Sequence, residues 1–209
     1  MITNINVTKR SGNLEPFNWD KMNKVLLWAI EKAGITENKE FYLNEINNNI
    51  NIRITDGIKI SKLFDSVINI VVNLTSRLYP EFDQIAKNLY IQKIYKETWQ
   101  IKRDQYPNYL DVVKKGLKFK VYNDKIFGSL SEEELKELGN YIKQKRDFDI
   151  PSFLGIKLFM LKYSLKHSKN HHLELPQHTF MRIAISAFFN ENDERLEKIK
   201  TFYDMLSKS

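Results

Sequence analysis

No cysteine occurs in these 209 residues. Its absence excludes disulfides, thiolate zinc sites, iron–sulfur clusters and any cysteine nucleophile. Glycine and proline are scarce, at 7 and 5 residues, which argues against a loop-rich sandwich and a disordered linker protein. No apolar run is long enough to cross a bilayer, so no transmembrane helix and no membrane partner are expected. Residues 1–10 lack the apolar stretch and small-residue cleavage site of a secretory signal. A cytoplasmic protein is the resulting expectation.

What is present reads as globular. Hydrophobic residues make up 42% and charged residues 28%, enough for one large domain or two small ones with real cores. The net charge is +7, from 33 Lys and Arg against 26 Asp and Glu. The cations alternate with acids along helical stretches, as in Lys32, Glu37, Lys39 and Glu40. A nucleic-acid footprint should cluster instead, so a nucleic-acid partner is not expected.

Ile5–Arg10 and Asn13–Phe17, separated by Ser11-Gly12, predict a small hairpin. Asn18 is a suitable N-cap for the helix after it, where Met22, Val25, Leu26, Ala29 and Ile30 recur at helical spacing. Gly34 ends that helix. A second helix is expected from Lys39 to Asn49, a third strand at Ile50–Ile54, and a third helix capped by Ser61. Pro80 precedes a fourth helix, from Glu81 to Lys102. Residues 1–102 thus read as four helices carrying a small β cap. Residues 103–209 read as all-helical, with helices near Tyr109–Leu117, after Ser131, after Pro151, at Gln177–Phe189 and at Asp193–Leu206. The stretch His167–Leu175 reads as a polar loop. The fold class is mainly α.

The hairpin carries the chemistry. Lys9 and Arg10 flank a tight turn, Glu15 and Asn18 follow, and Lys21 lies in the first turn of the helix. A helix N-terminus beside Lys and Arg suits a phosphate. Glu15 and Asn18 offer an acceptor and a donor–acceptor pair that an adenine edge can use. His167, His171 and His172 could suggest a metal cluster, but no carboxylate sits at ligand spacing, so no metal site is expected. Glu132, Glu133 and Glu134 read as a helix N-terminus rather than an acid–base pair.

Val7-Thr8-Lys9-Arg10-Ser11-Gly12, Glu15-Pro16-Phe17-Asn18 and Asp20-Lys21-Met22 together resemble the ATP-cone, the N-terminal regulatory domain of ribonucleotide reductase large subunits. Asp56-Gly57-Ile58-Lys59 and Tyr79-Pro80-Glu81-Phe82 resemble its later segments. Past the cone, Lys145-Arg146-Asp147-Phe148, the box Leu175-Pro176-Gln177-His178-Thr179-Phe180-Met181-Arg182, and Thr201-Phe202-Tyr203-Asp204 resemble the reductase's helical N-terminal region. The resemblance spans the whole chain in family order.

That resemblance implies an ATP-cone over residues 1–102 and a helical reductase domain over 103–209. It implies ATP or dATP as allosteric effector, with Mg2+. By position, Lys9, Arg10 and Lys96 would face phosphates, Glu15 and Asn18 would read adenine, and Lys21 would lie near ribose or phosphates. Val7 and Met22 would pack on the base. Two positions depart from the family: Ile60 replaces a frequent Thr, and Phe64 a frequent His, both of which help separate ATP from dATP. The resemblance also implies two partners, a cysteine-bearing catalytic barrel and, through the full complex, a radical-generating small subunit. The chain should be catalytically inactive alone, whether it comes from a split gene or is a truncated piece. A freestanding adenine-nucleotide regulatory module and a basic helical nucleic-acid-binding protein are the alternatives.

Overall fold

The structure, a computed structural model, describes residues 5–9, 11–51, 55–102, 105–168, 171–191 and 193–208. It divides into two units: Met1–Lys93 with Ser152–Leu154, and Ile94–Pro151 with Gly155–Ser209.

In the first unit, Asn18 starts the first long helix as its side chain dictates. Its Oδ1 accepts the Lys21 N–H at 2.8 Å, satisfying one of the donors a helix start leaves over. Ahead of it lie β1 (Asn6–Thr8) and β2 (Leu14–Pro16), followed by α1 (Trp19–Lys32), α2 (Lys39–Asn51), β3 (Ile58–Lys59), α3 (Ile60–Leu74) and α4 (Glu81–Trp99). The sheet order is β2-β1-β3, with β1 antiparallel to β2 and parallel to β3. Val7 sits opposite Glu15 on one side and Ile58 on the other.

Helices α1 to α3 each turn one stripe inward, Leu26, Ala29 and Ile30 from α1, Ile46 and Ile50 from α2, and Leu63, Val67 and Val71 from α3, while α4 is buried on most of its sides and gives Phe82, Ile85 and Leu89 to the same core. Each such aliphatic side chain contributes about 1.5–3 kcal/mol by leaving water, and the cap closes the stack through Ile5 and Val7. Buried Asn88 is satisfied by donating to the Ala29 carbonyl at 3.1 Å.

Three sequence expectations are corrected here. Ile50 does not open a strand: α2 runs through Asn51, because Ile46 and Ile50 at helical spacing are both fully buried. Residues 52–54 lie outside the described residues, and the third strand falls at Ile58–Lys59. Ser61 is not an N-cap. Helix α3 begins one residue before it, with Lys59 in the cap position and no side-chain cap bond. The fourth helix stops at Trp99 rather than Lys102, where Gln100 turns left-handed at φ 54°.

The second unit adds α5 (Tyr109–Lys118), α6 (Asp124–Phe127), α7 (Glu132–Tyr141), a 3-10 helix (Gln144–Phe148), α8 (Phe153–Lys162, whose first residues belong to the first unit), β4 (Lys166–Ser168), β5 (His171–His172), α9 (Pro176–Phe188) and α10 (Arg195–Ser207). Ser131 caps α7 in a full capping box: Glu134 N–H donates to its hydroxyl and its own N–H donates to the Glu134 carboxylate. Tyr109, Val113, Leu138, Met181, Ile185, Ile199 and Tyr203 form the core. The polar loop expected at His167–Leu175 instead holds the antiparallel β4–β5 ribbon. Its strands have three and two residues, too short to imprint an alternation on the sequence.

Candidate functional site

The β cap gathers most of the candidate residues at one corner of the first unit. The hairpin turn closes through Lys9 N–H to the Asn13 carbonyl at 2.8 Å and Gly12 N–H to the Lys9 carbonyl at 3.0 Å. Gly12 supplies the left-handed φ of 88° that this turn requires. Folding the hairpin sets Lys9 against Glu15, and the two form an ion pair across the strands. Both side chains remain about half exposed, at 47% and 42%, so the pair is weak and exchangeable.

Asn18 is exposed, and its Oδ1 is engaged as the α1 cap. Its two amide N–H groups and the second lone pair of the oxygen are left to read a ligand. Lys21 is exposed one turn along. Val7 and Met22 lie in the core, retaining 5% and 6% of their surface, so a base could touch only their outer edges. Arg10 lies outside the described residues. Lys96 is exposed in the last turn of α4 and belongs to the second unit.

The register adds a residue that sequence reading passed over. Thr8 pairs with Lys59 across parallel strands, and the Thr8 hydroxyl donates to the Gly57 carbonyl at 2.9 Å. Lys59 is exposed and sits where α3 starts without a side-chain cap. Ile60 opens α3 directly after this pairing, and Phe64 lies one turn further along the helix. Both are half-buried against the core. The local sequence shows only a Lys immediately before a helix, which adds charge near that helix's amides but says nothing of Thr8.

The buried polar groups of the second unit explain its sequence box structurally. Pro176 opens α9, and His178 Nδ1 accepts the Leu175 N–H at 3.3 Å. The imidazole thereby fills the capping role a Glu or Gln usually takes. Burial holds its pKa down to about 3, so it stays neutral. The Gln177 N–H donates to Asp147 at 3.0 Å, and the Tyr95 hydroxyl donates to the other oxygen at 2.6 Å. Asp147 is fully buried, and burial raises its pKa to about 7.

Glu174, also fully buried, accepts from Tyr122, Arg182, the Leu165 N–H and Thr179, at 2.6 to 3.0 Å. The Asp147 and Glu174 carboxylates are satisfied structural groups. His167 stacks between Phe119 and His171 at 4.9 and 5.7 Å. Among the described residues, no group of three or more His, Asp or Glu is placed to hold a metal.

Comparison with known proteins matches these two halves separately. Residues 5–97 match the ATP cone domain family, and residues 150–209 match the ribonucleotide reductase all-alpha domain family. Ribonucleoside-diphosphate reductase 1 subunit alpha of Escherichia coli is 29% identical over 209 residues, covering 99% of this chain and 26% of that protein. The alpha subunit of Helicobacter pylori is 28% identical over 211 residues, covering 98% and 24%. The chain therefore spans about a quarter of the length of these curated relatives. An ATP cone followed by the reductase's all-alpha domain, on a chain that aligns along nearly its whole length with reductase alpha subunits, places it in the ribonucleotide reductase large-subunit family, as the counterpart of its N-terminal portion.

Proposed function

We propose that this chain is the effector-binding and structural N-terminal portion of a ribonucleoside-diphosphate reductase. A cysteine-bearing catalytic barrel, on a separate polypeptide or as the remainder of a longer chain, supplies the catalytic cysteines, and a radical-generating small subunit joins through the assembled complex. With no cysteine of its own, the isolated chain has no thiol for radical chemistry or for reducing equivalents and turns over no ribonucleotide. The effector is an adenine nucleotide, ATP or dATP.

The observation that carries this reading is the cap corner. There the Lys9–Glu15 pair lies on the β1–β2 hairpin, Lys59 pairs with Thr8 on the other side of β1, and Lys21 stands in the first turn of α1, which follows β2. Lys9, Arg10, Lys21 and Lys96 are the phosphate-side cations of the proposal, and Lys59 joins them from the register. Lys9 exchanges Glu15 for a phosphate, which frees the Glu15 carboxylate to accept from the adenine amino group. Asn18, its oxygen engaged, donates its amide N–H to a ring nitrogen. Val7 and Met22 offer their outer edges to the base. No carboxylate cage stands ready among the described residues, so Mg2+ arrives on the phosphates.

Ile60 and Phe64, in the first turns of α3 after Lys59, provide no hydroxyl and no imidazole. A lost buried hydrogen bond is worth roughly 1–3 kcal/mol, about tenfold to a hundredfold in affinity. ATP and dATP are therefore poorly distinguished. Calorimetric titration of both nucleotides into wild type and Lys9→Ala tests this, with binding about tenfold weaker in the variant. A strong preference for one nucleotide would refute the role given to Ile60 and Phe64. No binding of either would refute the effector site itself.

A further inference from the structure

A cleft of about 580 Å³ opens in the first unit at the end of α1 away from the cap. Glu37, Asn38, Phe41, Tyr42, Tyr79 and Glu81 are among its ten lining residues, none of which is basic. The rings form one cluster. Phe41 lies 5.0 Å from Tyr79 at a 38° tilt and 5.3 Å from Tyr42, and Tyr42 lies 5.1 Å from Phe82.

Clamping the α1–α2 connection onto the start of α4 accounts for buried Phe82 and half-buried Tyr42. It does not account for Phe41 and Tyr79, which leave 38% and 42% of their surface in water. It accounts for Glu81 only in part: the carboxylate interacts with the Tyr42 hydroxyl, but its Oε2 is shielded from solvent and meets no hydrogen-bond partner among the described residues. A shielded carboxylate oxygen without a donor is rare in folded proteins and asks for one. Exposed aromatic faces beside it attract cations through the ring quadrupole. Neutral amides or sugars would satisfy the oxygen but would gain nothing from the rings' negative faces or from the second carboxylate, Glu37.

We propose that this cleft is an organic-cation site, which takes an alkylammonium or guanidinium group over the Phe41 and Tyr79 rings with the half-buried Glu81 carboxylate as the counter-charge. The proposal is independent of the nucleotide reading, because no residue is shared between the two sites.

Arginine amide and spermidine, titrated into the full chain while the ring signals of Phe41 and Tyr79 are followed by NMR, test it. Both probes should shift those signals saturably, while the signals of Lys9 and Asn18 stay in place. Citrulline amide, the neutral isostere of arginine amide, should bind about tenfold more weakly. Glu81→Gln should erase the difference between the two amides. Tyr79→Ala, at an exposed position that leaves folding intact, should weaken arginine amide about tenfold.

An arginine-bearing peptide separates the sources of the cation. Tighter binding than the amide, with competition between them, assigns the site to a basic side chain of a protein partner. Equal binding assigns it to small free amines. Equal affinity for the citrulline and arginine amides, or no saturable shift with either cation, overturns the proposal.

Discussion

Replacing Asp147 by Asn should reverse its effect on stability as pH changes. The carboxyl is fully buried, and its partners are neutral donors: the Tyr95 hydroxyl at 2.6 Å and the Gln177 N–H at 3.0 Å. Burial dominates and raises its pKa from 3.8 to about 7. The folded state therefore holds this proton where the unfolded chain has released it. Its contribution is fully present below about pH 4 and is lost as pH rises through about 7. Over that window the wild-type stability carries a downward slope of up to about 1.4 kcal/mol per pH unit from this residue. The whole shift amounts to about 4 kcal/mol.

Asn mimics the protonated acid and does not titrate. It keeps one carbonyl acceptor, so about 1–2 kcal/mol of hydrogen bonding is lost at any pH. Asp147→Asn should thus destabilise the protein by about that amount near pH 4 and stabilise it by about 2 kcal/mol near pH 8, with the sign changing between. Urea denaturation of both proteins at half-unit pH steps measures the difference directly. A ΔΔG that stays constant across the range would refute the assignment of the buried charge.

Two further outcomes follow from the second unit's packing. Arg182→Met should cost about 3–5 kcal/mol in urea denaturation, because it strands the fully buried Glu174 carboxylate without its cation; a loss below about 1 kcal/mol would show that Tyr122, Thr179 and the Leu165 N–H suffice alone. Gly116→Ala should cost about 1–3 kcal/mol, because its Cβ would stand 2.7 Å from Cγ of Tyr122, whose hydroxyl is tied to Glu174 at 2.6 Å; unchanged thermal midpoints would mean the ring can move aside.

The sequence announced its elements wherever a side chain fixes the local backbone. Asn18 and Ser131 are caps by chemistry alone, and both hold in the structure. It misled where two periods compete: Ile50-Asn51-Ile52 alternates like a strand, but Ile50 repeats Ile46 at helical spacing and burial decides for the helix. Strands of two or three residues, as at Ile58–Lys59 and His171–His172, are made by their partners and leave no pattern to read. Lys9, Glu15, Asn18 and Lys21 could be picked out as a group because they sit within one hairpin and one helical turn. Lys59 could not, because only a parallel pairing across fifty residues brings it to Thr8. The buried roles of Asp147 and Glu174 were hidden for the same reason: a carboxylate's burial depends on the elements that close over it.

The order β2-β1-β3 has a kinetic consequence. The central strand β1 can pair at once with β2, across a five-residue turn. Its other edge must wait for residues about fifty positions further along the chain, fastened by Asp56 to the Asn6 N–H at 2.7 Å and Gly57 N–H to the Asn6 carbonyl at 2.9 Å. Closing a loop of that length costs on the order of 3–4 kcal/mol in chain entropy before any contact offsets it. Helices α1 and α2, which lie between those partners, are local and form faster. The sheet is thus completed late, on a scaffold of helices already in place, and the corner where Lys9 meets the start of α3 exists only once that last pairing is made. Nucleotide affinity, if followed during refolding, would appear after helical content has returned and would time the final step of assembly.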